Sequence, residues 1–357
     1  MKKFIHILIL SINLIHSSYS NAVFEEGQYA VYGKLLSYER YFDSNIYTKK
    51  PTIIVLHGGA FQRILGDKKY MRKLCLDFFH KGYQVFNIDY LQREFYLNPT
   101  LAYVESSESL QSFLEFLTKD HINLQVDTAN LFLLGHSAGA ITCLGYCNQD
   151  YSEINELQLN SIGIQALMKN KISIRGVISL AGGWTRLEDL ANSNTPLFLI
   201  HSKEDLIIPY GSGIAFSEFG AAYNSLLDIP IQNIQEQSAY MGLSLGIQEH
   251  LQHSMEELTS QFKIPNIYGS EAIYNSLSDK LVQHSKLVTI PGTGHHLKSL
   301  YNPQVAEQIH TWIQINMKEE GFLDKILSKM NKKNLVKVSM GATLLLILLI
   351  LLKKVLW

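Results

Sequence analysis

The stretch that decides the fold is Leu131–Gly139, which reads LFLLGHSAG. Its first four residues are apolar and suit a buried strand, and the residues after the serine can continue as a helix. Ser137 stands between them in the pattern Gly135-x-Ser137-x-Gly139, the signature of a nucleophile elbow. A sharp strand-to-helix turn lifts a serine hydroxyl clear of the chain, and the two glycines let neighbouring backbone pass without a Cβ collision. The stretch therefore predicts strand, turn and helix, with Ser137 as a nucleophile.

The composition describes a globular chain with an ample core. Of its 357 residues 46% are hydrophobic and 18% are charged, which is enough for one large α/β domain with appendages. The net charge of −1 gives no field that would attract nucleic acid. Cys75, Cys143 and Cys147 are too few for a disulfide framework and have no zinc-ligand spacing. We therefore expect no nucleic-acid partner and no metal.

The amino terminus carries the features of an export signal. Residues 1–20 begin with Lys2 and Lys3, continue with an apolar run from Phe4 to Ile15 and end in small residues suited to cleavage. This layout is typical of a secretory signal peptide. A buried first strand is the alternative.

Residues 338–357 are predicted to form a C-terminal transmembrane helix that anchors the protein. The run from Val338 to Leu352 has no charged residue and is apolar on every side. At about 1.5 Å per residue it covers roughly 22 Å of the ~30 Å hydrocarbon core, and flanking lysines can snorkel. A core helix is the alternative.

Residues 318–337 are basic with apolar residues at helical spacing, which suits an amphipathic helix on the membrane surface or a solvated linker. With the export signal, this anchor would leave the catalytic domain outside the cytoplasm.

Residues 21–317 alternate between short apolar strands and helices, after a hairpin at 29–41. Strands are predicted at 52–56, 84–90, 131–134, 175–180, 196–201 and 286–290, and helices at 68–80, 103–118, 138–147 and 303–317. Strands buried on both faces belong to parallel sheets. The pattern therefore predicts an α/β fold with a predominantly parallel central sheet flanked by helices. Ligands of such sheets bind at the carboxyl ends of the strands.

A glycine pair follows the first of these strands, in His57-Gly58-Gly59-Ala60. Such a loop lets backbone N–H groups turn inward toward a developing oxyanion. We expect Gly59 and Ala60 to supply two donors and Ala138, at a helix start, to complete the oxyanion hole. His57 is expected to orient the loop. A simple tight turn is the alternative.

Two later loops supply an acid and a base. Asp205 and its neighbour Glu204 follow the strand that ends at His201, and either carboxylate could hold a histidine in the tautomer that catalysis needs. The last strand leads into a glycine-containing loop with His295 and His296. We predict His295 as the general base, with His296 as the alternative.

In this order the motifs resemble the α/β-hydrolase superfamily, on its carboxylesterase and lipase side. The resemblance rests on the His-Gly-Gly loop at 57–59, Gly-His-Ser-Ala-Gly at 135–139, and Gly294-His295. Residues 201–209 are similar to the family's His-Gly-x-x-Asp-x-Val-Pro acid loop, which implies that Asp205 rather than Glu204 completes the triad. The resemblance covers roughly residues 29–317. It implies an α/β-hydrolase fold and cleavage of carboxylic esters without a metal or cofactor.

The chain departs from that pattern in several places. Ser202 replaces the glycine of the acid loop, with little expected consequence, and Asp89-Tyr90 is followed by Leu91-Gln92-Arg93 where the family often has Asp-Tyr-Arg.

Two other departures bear on the substrate. Ala60 replaces the third glycine of the oxyanion loop, which implies a restricted backbone and a narrower tolerance for esters of bulky or tertiary alcohols. The interval between Asp205 and His295 is longer than a strand, a loop and the helix expected at 268–281 require. The excess, about 211–265, is rich in Tyr, Gln, Ser and Leu and enters beside the pocket mouth, which predicts a lid or substrate-binding cap. A disordered spacer is the alternative.

The sequence thus predicts an exported, membrane-tethered serine hydrolase that acts on small-molecule or lipid esters. The predicted triad is Ser137, Asp205 and His295, and the predicted oxyanion donors are Gly59, Ala60 and Ala138. A serine peptidase or an acyltransferase could use the same residues. A catalytically silent, membrane-tethered binding protein is the alternative outside enzymes.

Overall fold

The computed structural model describes residues 22–44, 49–63, 65–92, 99–148, 172–191, 193–215, 266–292 and 294–318. The predicted signal peptide at 1–20 and anchor at 338–357 lie outside these residues, as do most of the linker and of the insertion. No helix within the described ranges is both long and apolar enough to cross a membrane. The export signal, the anchor and the cap stay predictions.

An eight-stranded sheet forms the centre of the described residues, in the order β1-β2-β4-β3-β5-β6-β8-β11. The first two strands form the predicted hairpin, and β2 runs antiparallel to β4. The remaining neighbours are parallel, as predicted. The strands are β1 (Ala22–Val31), β2 (Lys34–Asp43), β3 (Lys50–Leu56), β4 (Gln84–Ile88), β5 (Val126–His136), β6 (Gly176–Leu180), β8 (Leu197–Ser202) and β11 (Lys286–Ile290).

Helices cover both faces of this sheet, which is why its inner strands β4, β6 and β8 are buried at every position. One face packs against α2 (Pro99–Lys119) and α3 (Ala138–Asn148), and the other against α1 (Arg72–His80) and α8 (Pro303–Asn316). A 3-10 turn (Lys68–Met71) leads into α1. Asn302 caps α8 by accepting the N–H of Val305 at 3.0 Å, with Pro303 in the first helical turn.

A second, three-stranded antiparallel sheet was not predicted from the sequence. It consists of β7 (Gly183–Trp184), β10 (Asn266–Gly269) and β9 (Ser212–Ile214), with β10 in the middle. The two segments that flank residues 216–265, β9 and β10, therefore pair with each other.

The prediction of a single helix at 268–281 is wrong. Tyr268 and Gly269 belong to β10, and two short helices follow, α5 (Ser270–Ser276) and α6 (Asp279–Val282). The break occurs because Leu277 is extended, with ψ 144°, and buries its side chain. Two further short helices are α4 (Leu187–Ala191) and α7 (Leu297–Leu300), and α8 is the last described helix.

The strand register brings three loops to one edge of the sheet. His136 pairs with Leu180, Leu180 with Ile200, and Ser202 with Ile290, so the carboxyl ends of β5, β6, β8 and β11 are level. The loops that leave β5, β8 and β11 carry Ser137, Asp205 and His295.

Candidate active site

Ser137 occupies the sharp turn between β5 and α3, as its glycine pattern predicts. Its φ is +52°, in the left-handed region that side chains other than glycine rarely adopt. Neighbouring backbone holds this conformation: Ser137 N–H donates to Leu180 O at 2.9 Å, and Ser137 O accepts from Ile141 N–H at 3.0 Å. The turn is therefore fixed by both the adjacent strand and the helix that it begins.

The two flanking glycines are required by close backbone approach. A Cβ at Gly135 would lie 2.4 Å from Ala140 N, and one at Gly139 would lie 2.4 Å from Leu56 O and 2.5 Å from His57 O. These neighbours are backbone atoms of packed elements, which cannot move aside cheaply. The turn therefore sits directly against the end of β3.

Replacing Gly139 by alanine is expected to lower the free energy of unfolding by about 3 kcal/mol, because the added methyl overlaps two backbone carbonyls. Urea denaturation measures this loss. Gly213→Ala is the matched control, since its Cβ would meet Pro209 at an ordinary 3.6 Å, and a change within about 0.5 kcal/mol is expected. Equal stability of the two variants would contradict this account of the turn.

Two hydrogen bonds join the three residues of the predicted triad. His295 Nε2 lies 2.8 Å from Ser137 Oγ, and His295 Nδ1 lies 2.8 Å from Asp205 Oδ2. An ionised carboxylate only accepts, so Nδ1 carries the ring proton and Nε2 accepts the serine hydroxyl. This is the tautomer that a general base for the serine needs.

The Asp205 carboxylate is buried and accepts hydrogen bonds at both oxygens. Oδ1 accepts from Ile207 N–H at 2.8 Å and from Ile208 N–H at 3.1 Å, while Oδ2 faces His295 and His201. Burial alone would raise the pKa of Asp205, but the hydrogen-bond donors, and the attraction of the two imidazoles when they are protonated, outweigh it and hold that pKa well below its usual range. Asp205 is therefore ionised at neutral pH.

The hydrogen-bonded chain runs through Asp205 and His295, and the two alternative residues beside them are exposed. Glu204 is exposed, and its N–H donates to Gly292 O at 3.3 Å. His296 is exposed too and precedes α7, where its carbonyl accepts from Ser299 N–H at 3.0 Å. The structure brings Asp205 and His295, rather than these neighbours, to Ser137.

The loop after β3 passes beside the elbow. A Cβ at Gly58 would lie 3.1 Å from Ser137 Cβ, so the two chains are in contact there. Gly59 and Ala60 have φ of +115° and +47°, and Gln62 N–H closes the turn on Gly59 O at 2.8 Å. Glycine is favoured at the first of these positions because a Cβ would also collide with Gly66.

His57 is buried at the start of this loop. Its Nδ1–H donates to Gly58 O at 2.7 Å, its ring stacks on Tyr90 with centroids 4.7 Å apart, and its carbonyl accepts from Tyr90 Oη at 2.9 Å. These contacts fix the start of the loop, which is the role expected for His57.

A charged cluster behind His57 was not predicted from the sequence. Asp89, just after β4, accepts from Lys68 Nζ at 2.6 Å and from Ser37 Oγ at 2.5 Å, and His57 Nε2 lies 3.7 Å away. Burial favours a raised pKa for Asp89, but these donors lower it to about 2. The ionised cluster ties the loop to β2 and to the 3-10 turn. The predicted strand at 84–90 includes Asp89, so the sequence pattern did not indicate this cluster.

His136, inside the elbow motif, supports the histidine loop. Its Nε2–H donates to His295 O at 2.7 Å, and the side of its ring that carries Nδ1 packs against Gly58. Burial, and then the charge of nearby His295, lower the pKa of His136 to about 3. His136 is therefore neutral at pH 7 and is held between the oxyanion loop and the histidine loop.

The low pKa of His136 predicts an acid-sensitive fold. Below about pH 6.5 the unfolded chain binds a proton at this imidazole and the folded chain does not, so stability falls as the pH decreases from 6.5 toward 3. Between pH 7 and pH 5 this one group should cost about 2 kcal/mol. His136→Gln keeps a donor for His295 O but does not titrate. In urea unfolding experiments, its free energy of unfolding should therefore fall by about 2 kcal/mol less between pH 7 and pH 5 than that of the wild type. An equal change in the free energy of unfolding between the two pH values in both proteins would refute this role of His136.

Comparison with known proteins gives one family match. The BD-FAE family model matches residues 39–192, a span that includes the oxyanion loop and Ser137 and ends before Asp205 and His295. This match confirms the resemblance to the α/β-hydrolase superfamily. The search of curated proteins found no match.

The solved structures that match this chain are distant from it in sequence. The apo form of Thermogutta terrifontis esterase 2 is 12% identical with a TM-score of 0.49, over 83% of this chain and 97% of that one. A thermostable esterase from Pseudomonas putida ECU1011 is 11% identical with a TM-score of 0.47, over 84% and 85%. A predicted CIB-like hydrolase from Thermoplasma acidophilum is 14% identical with a TM-score of 0.42, over 83% and 100%.

Proposed function

We propose, from the premise that this chain is similar in sequence to the α/β-hydrolase superfamily and has an α/β fold, that it is a serine hydrolase of carboxylic esters. One observation carries the proposal. The hydroxyl of Ser137, the imidazole of His295 and the carboxylate of Asp205 form a continuous hydrogen-bonded chain with two contacts of 2.8 Å. Such a chain, on a strained elbow at the carboxyl edge of a parallel sheet, is the arrangement that activates a serine.

In the first half of the reaction Ser137 Oγ attacks the ester carbonyl carbon while His295 Nε2 takes the hydroxyl proton. The carbonyl oxygen becomes an oxyanion, which the N–H groups of Gly59, Ala60 and Ala138 would stabilise. As the tetrahedral intermediate collapses, the bond to the alcohol oxygen breaks and His295 gives that oxygen its proton. The alcohol leaves, and the acyl group stays bound to Ser137.

In the second half a water molecule replaces the alcohol. His295 Nε2 takes a proton from the water as its oxygen attacks the acyl carbon, and the proton then passes to Ser137 Oγ as the carboxylic acid departs. Asp205 Oδ2 accepts the hydrogen bond from His295 Nδ1–H throughout without taking that proton, and its charge stabilises the imidazolium that forms in each half. The ionised state of Asp205, which its depressed pKa ensures at neutral pH, supports this role.

Activity on a series of p-nitrophenyl esters, compared with a series of aminoacyl amides, tests the reaction class. We expect saturable, Ser137-dependent hydrolysis of at least one ester chain length and little hydrolysis of amides. Faster cleavage of amides would favour a peptidase, and transfer to an added alcohol in preference to water would favour an acyltransferase. A folded protein that cleaves neither series would be a binding protein.

Ala60 predicts a limit on the alcohol group. Its backbone adopts the left-handed conformation, with φ +47°, at the position where the family's pattern has a third glycine. We expect Ala60→Gly to raise kcat/KM for a tertiary-alcohol ester by at least about tenfold relative to the matching primary-alcohol ester, a magnitude typical of a single added carbon in a pocket. An unchanged ratio between the two esters would mean that position 60 does not set this limit.

We further propose that the enzyme is exported and tethered to a membrane through residues 338–357, with the catalytic domain outside the cytoplasm. The apolar segment and the export signal support this at the level of sequence. Loss of membrane association on deletion of residues 338–357 would be the expected result. The substrate-binding cap at 211–265 is likewise a proposal, supported by the pairing of β9 with β10 at its two ends.

A further inference from the structure

Asp205 faces two imidazoles, and the proposed mechanism uses only one of them. His201 lies four residues before the acid, at the end of β8, with its Nε2 3.2 Å from Asp205 Oδ2. The same carboxylate oxygen accepts from His295 Nδ1. His201 thus contacts the oxygen that orients the general base.

The protonation of His201 Nε2 follows from its partners. Besides Asp205 Oδ2, that nitrogen lies 3.0 Å from Ile208 O. A carboxylate and a carbonyl only accept, so Nε2 carries a proton, which it donates to Ile208 O at 3.0 Å and shares with Asp205 Oδ2 as a second, longer acceptor at 3.2 Å. On the other side of the ring, Nδ1 lies 2.9 Å from Ser270 Oγ, whose hydroxyl donates to it in the neutral ring.

Burial makes these bonds hard to replace. The side chains of His201 and Asp205 are both fully inaccessible to solvent, and Ser270 is buried as well. Removing the donor from His201 would therefore leave a carboxylate lone pair without a partner and without water to take its place.

Ser270 is held in register with the acid loop by backbone bonds on each side of it. Gly269 N–H donates to Gly211 O at 2.6 Å, and Glu271 N–H donates to Tyr210 O at 3.0 Å. At Gly269 the two chains touch so closely that a Cβ would lie 1.7 Å from Pro209 O. The start of α5 is therefore fixed relative to the loop that carries Asp205.

We propose that His201 is a positioning residue for the catalytic acid, held by Ser270, and that its Nε2–H fixes the plane of the Asp205 carboxylate so that Oδ2 meets His295 Nδ1. This inference rests on the proposed function, because it assigns a role within the same triad. The backbone donors of Ile207 and Ile208 hold Oδ1, and His201 holds Oδ2. Without His201, Oδ2 keeps only the mobile partner that it is meant to orient.

Two substitutions of His201 test whether the N–H donor at Nε2, rather than the volume of the side chain, is what matters. Glutamine carries its amide nitrogen at the same number of bonds from Cα as Nε2, and asparagine carries its own at the position of Nδ1. We expect His201→Asn to lower kcat by about 10- to 100-fold with KM within about twofold, as for a small misplacement of catalytic groups. His201→Gln should restore kcat to within about threefold of the wild type.

A remote variant controls for lost stability. Asn316, at the end of α8, donates to His284 O and Trp312 O, and its carbonyl accepts from Arg175 just before β6, at the sheet edge opposite the triad loops. Asn316→Ala should lower Tm and leave kcat unchanged. The proposal is overturned if His201→Asn keeps wild-type kcat, if the glutamine and asparagine variants lose kcat equally, or if Asn316→Ala loses as much.

A measurement on the unmodified protein covers the case in which the variants do not fold. The 15N NMR shifts of histidine-labelled wild-type protein report which ring nitrogen of His201 is protonated. A proton on Nε2 is expected, and a bare Nε2 would overturn the proposal. Wild-type protein that hydrolyses no ester would instead overturn the proposed function, whatever the state of His201.

Discussion

Replacing Ser137 by alanine is expected to lower kcat/KM for a p-nitrophenyl ester by at least about 10⁴-fold. The variant removes the only oxygen in hydrogen-bond contact with His295 Nε2 among the described residues, so no acyl-enzyme can form. In triads of this kind, what remains after loss of the nucleophile comes from the oxyanion hole and from substrate binding. Steady-state kinetics on purified protein measures the loss.

The fold should survive this substitution. Alanine and serine carry the same Cβ, so the left-handed conformation at position 137 costs about the same in both proteins. Tm should therefore stay close to that of the wild type. Ser276→Ala is the matched control, because that hydroxyl only donates to Ile273 O within α5, and its kcat/KM should be unchanged. Full activity of Ser137→Ala would exclude the proposed nucleophile.

Asp205→Asn should have an effect of similar size, lowering kcat by about 10⁴-fold at neutral pH. The surrounding donors explain why. Two backbone N–H groups, of Ile207 and Ile208, point at Oδ1, so the amide oxygen of asparagine would take that place. Its NH₂ group would then face His295 Nδ1 and could only donate to it. The imidazole would be held with its proton on Nε2, unable to accept the Ser137 proton.

Glu204→Gln is the control for this prediction. The Glu204 side chain is exposed and the one next to it, Asp205, makes the contact with His295. We expect its kcat to stay within about twofold of the wild type, as for surface substitutions away from a site. A large loss in Glu204→Gln together with near-normal activity in Asp205→Asn would reverse the assignment of the acid.

The sequence predicted those parts of the fold that depend on local pattern. Short, mostly apolar runs between turn signals predicted the strands of the parallel sheet. The glycines around Ser137 indicated a turn whose close contacts with Leu56 O and Ala140 N tolerate no side chain. Because parallel strands share one carboxyl edge, the order of the loops also indicated which residues could meet.

What the sequence did not predict depends on contacts between distant segments. The pairing of β10 with β7 and β9 involves two to four residues per strand, too few to produce a periodic pattern. The break at Leu277 follows from burial of that side chain and not from a proline or glycine. The contacts of His136 and His201 were missed for the same reason, since an isolated histidine in a chain with 13 of them carries no signal of its partners.

Labelling with a fluorophosphonate, followed by mass spectrometry of the digested protein, tests the central claim most directly. The reagent phosphonylates a serine only when a neighbouring base makes its oxygen nucleophilic. The account predicts one adduct, on the peptide that contains Ser137, and its absence from Ser137→Ala. Folded wild-type protein that acquires no adduct, or acquires it on another residue, would contradict the account.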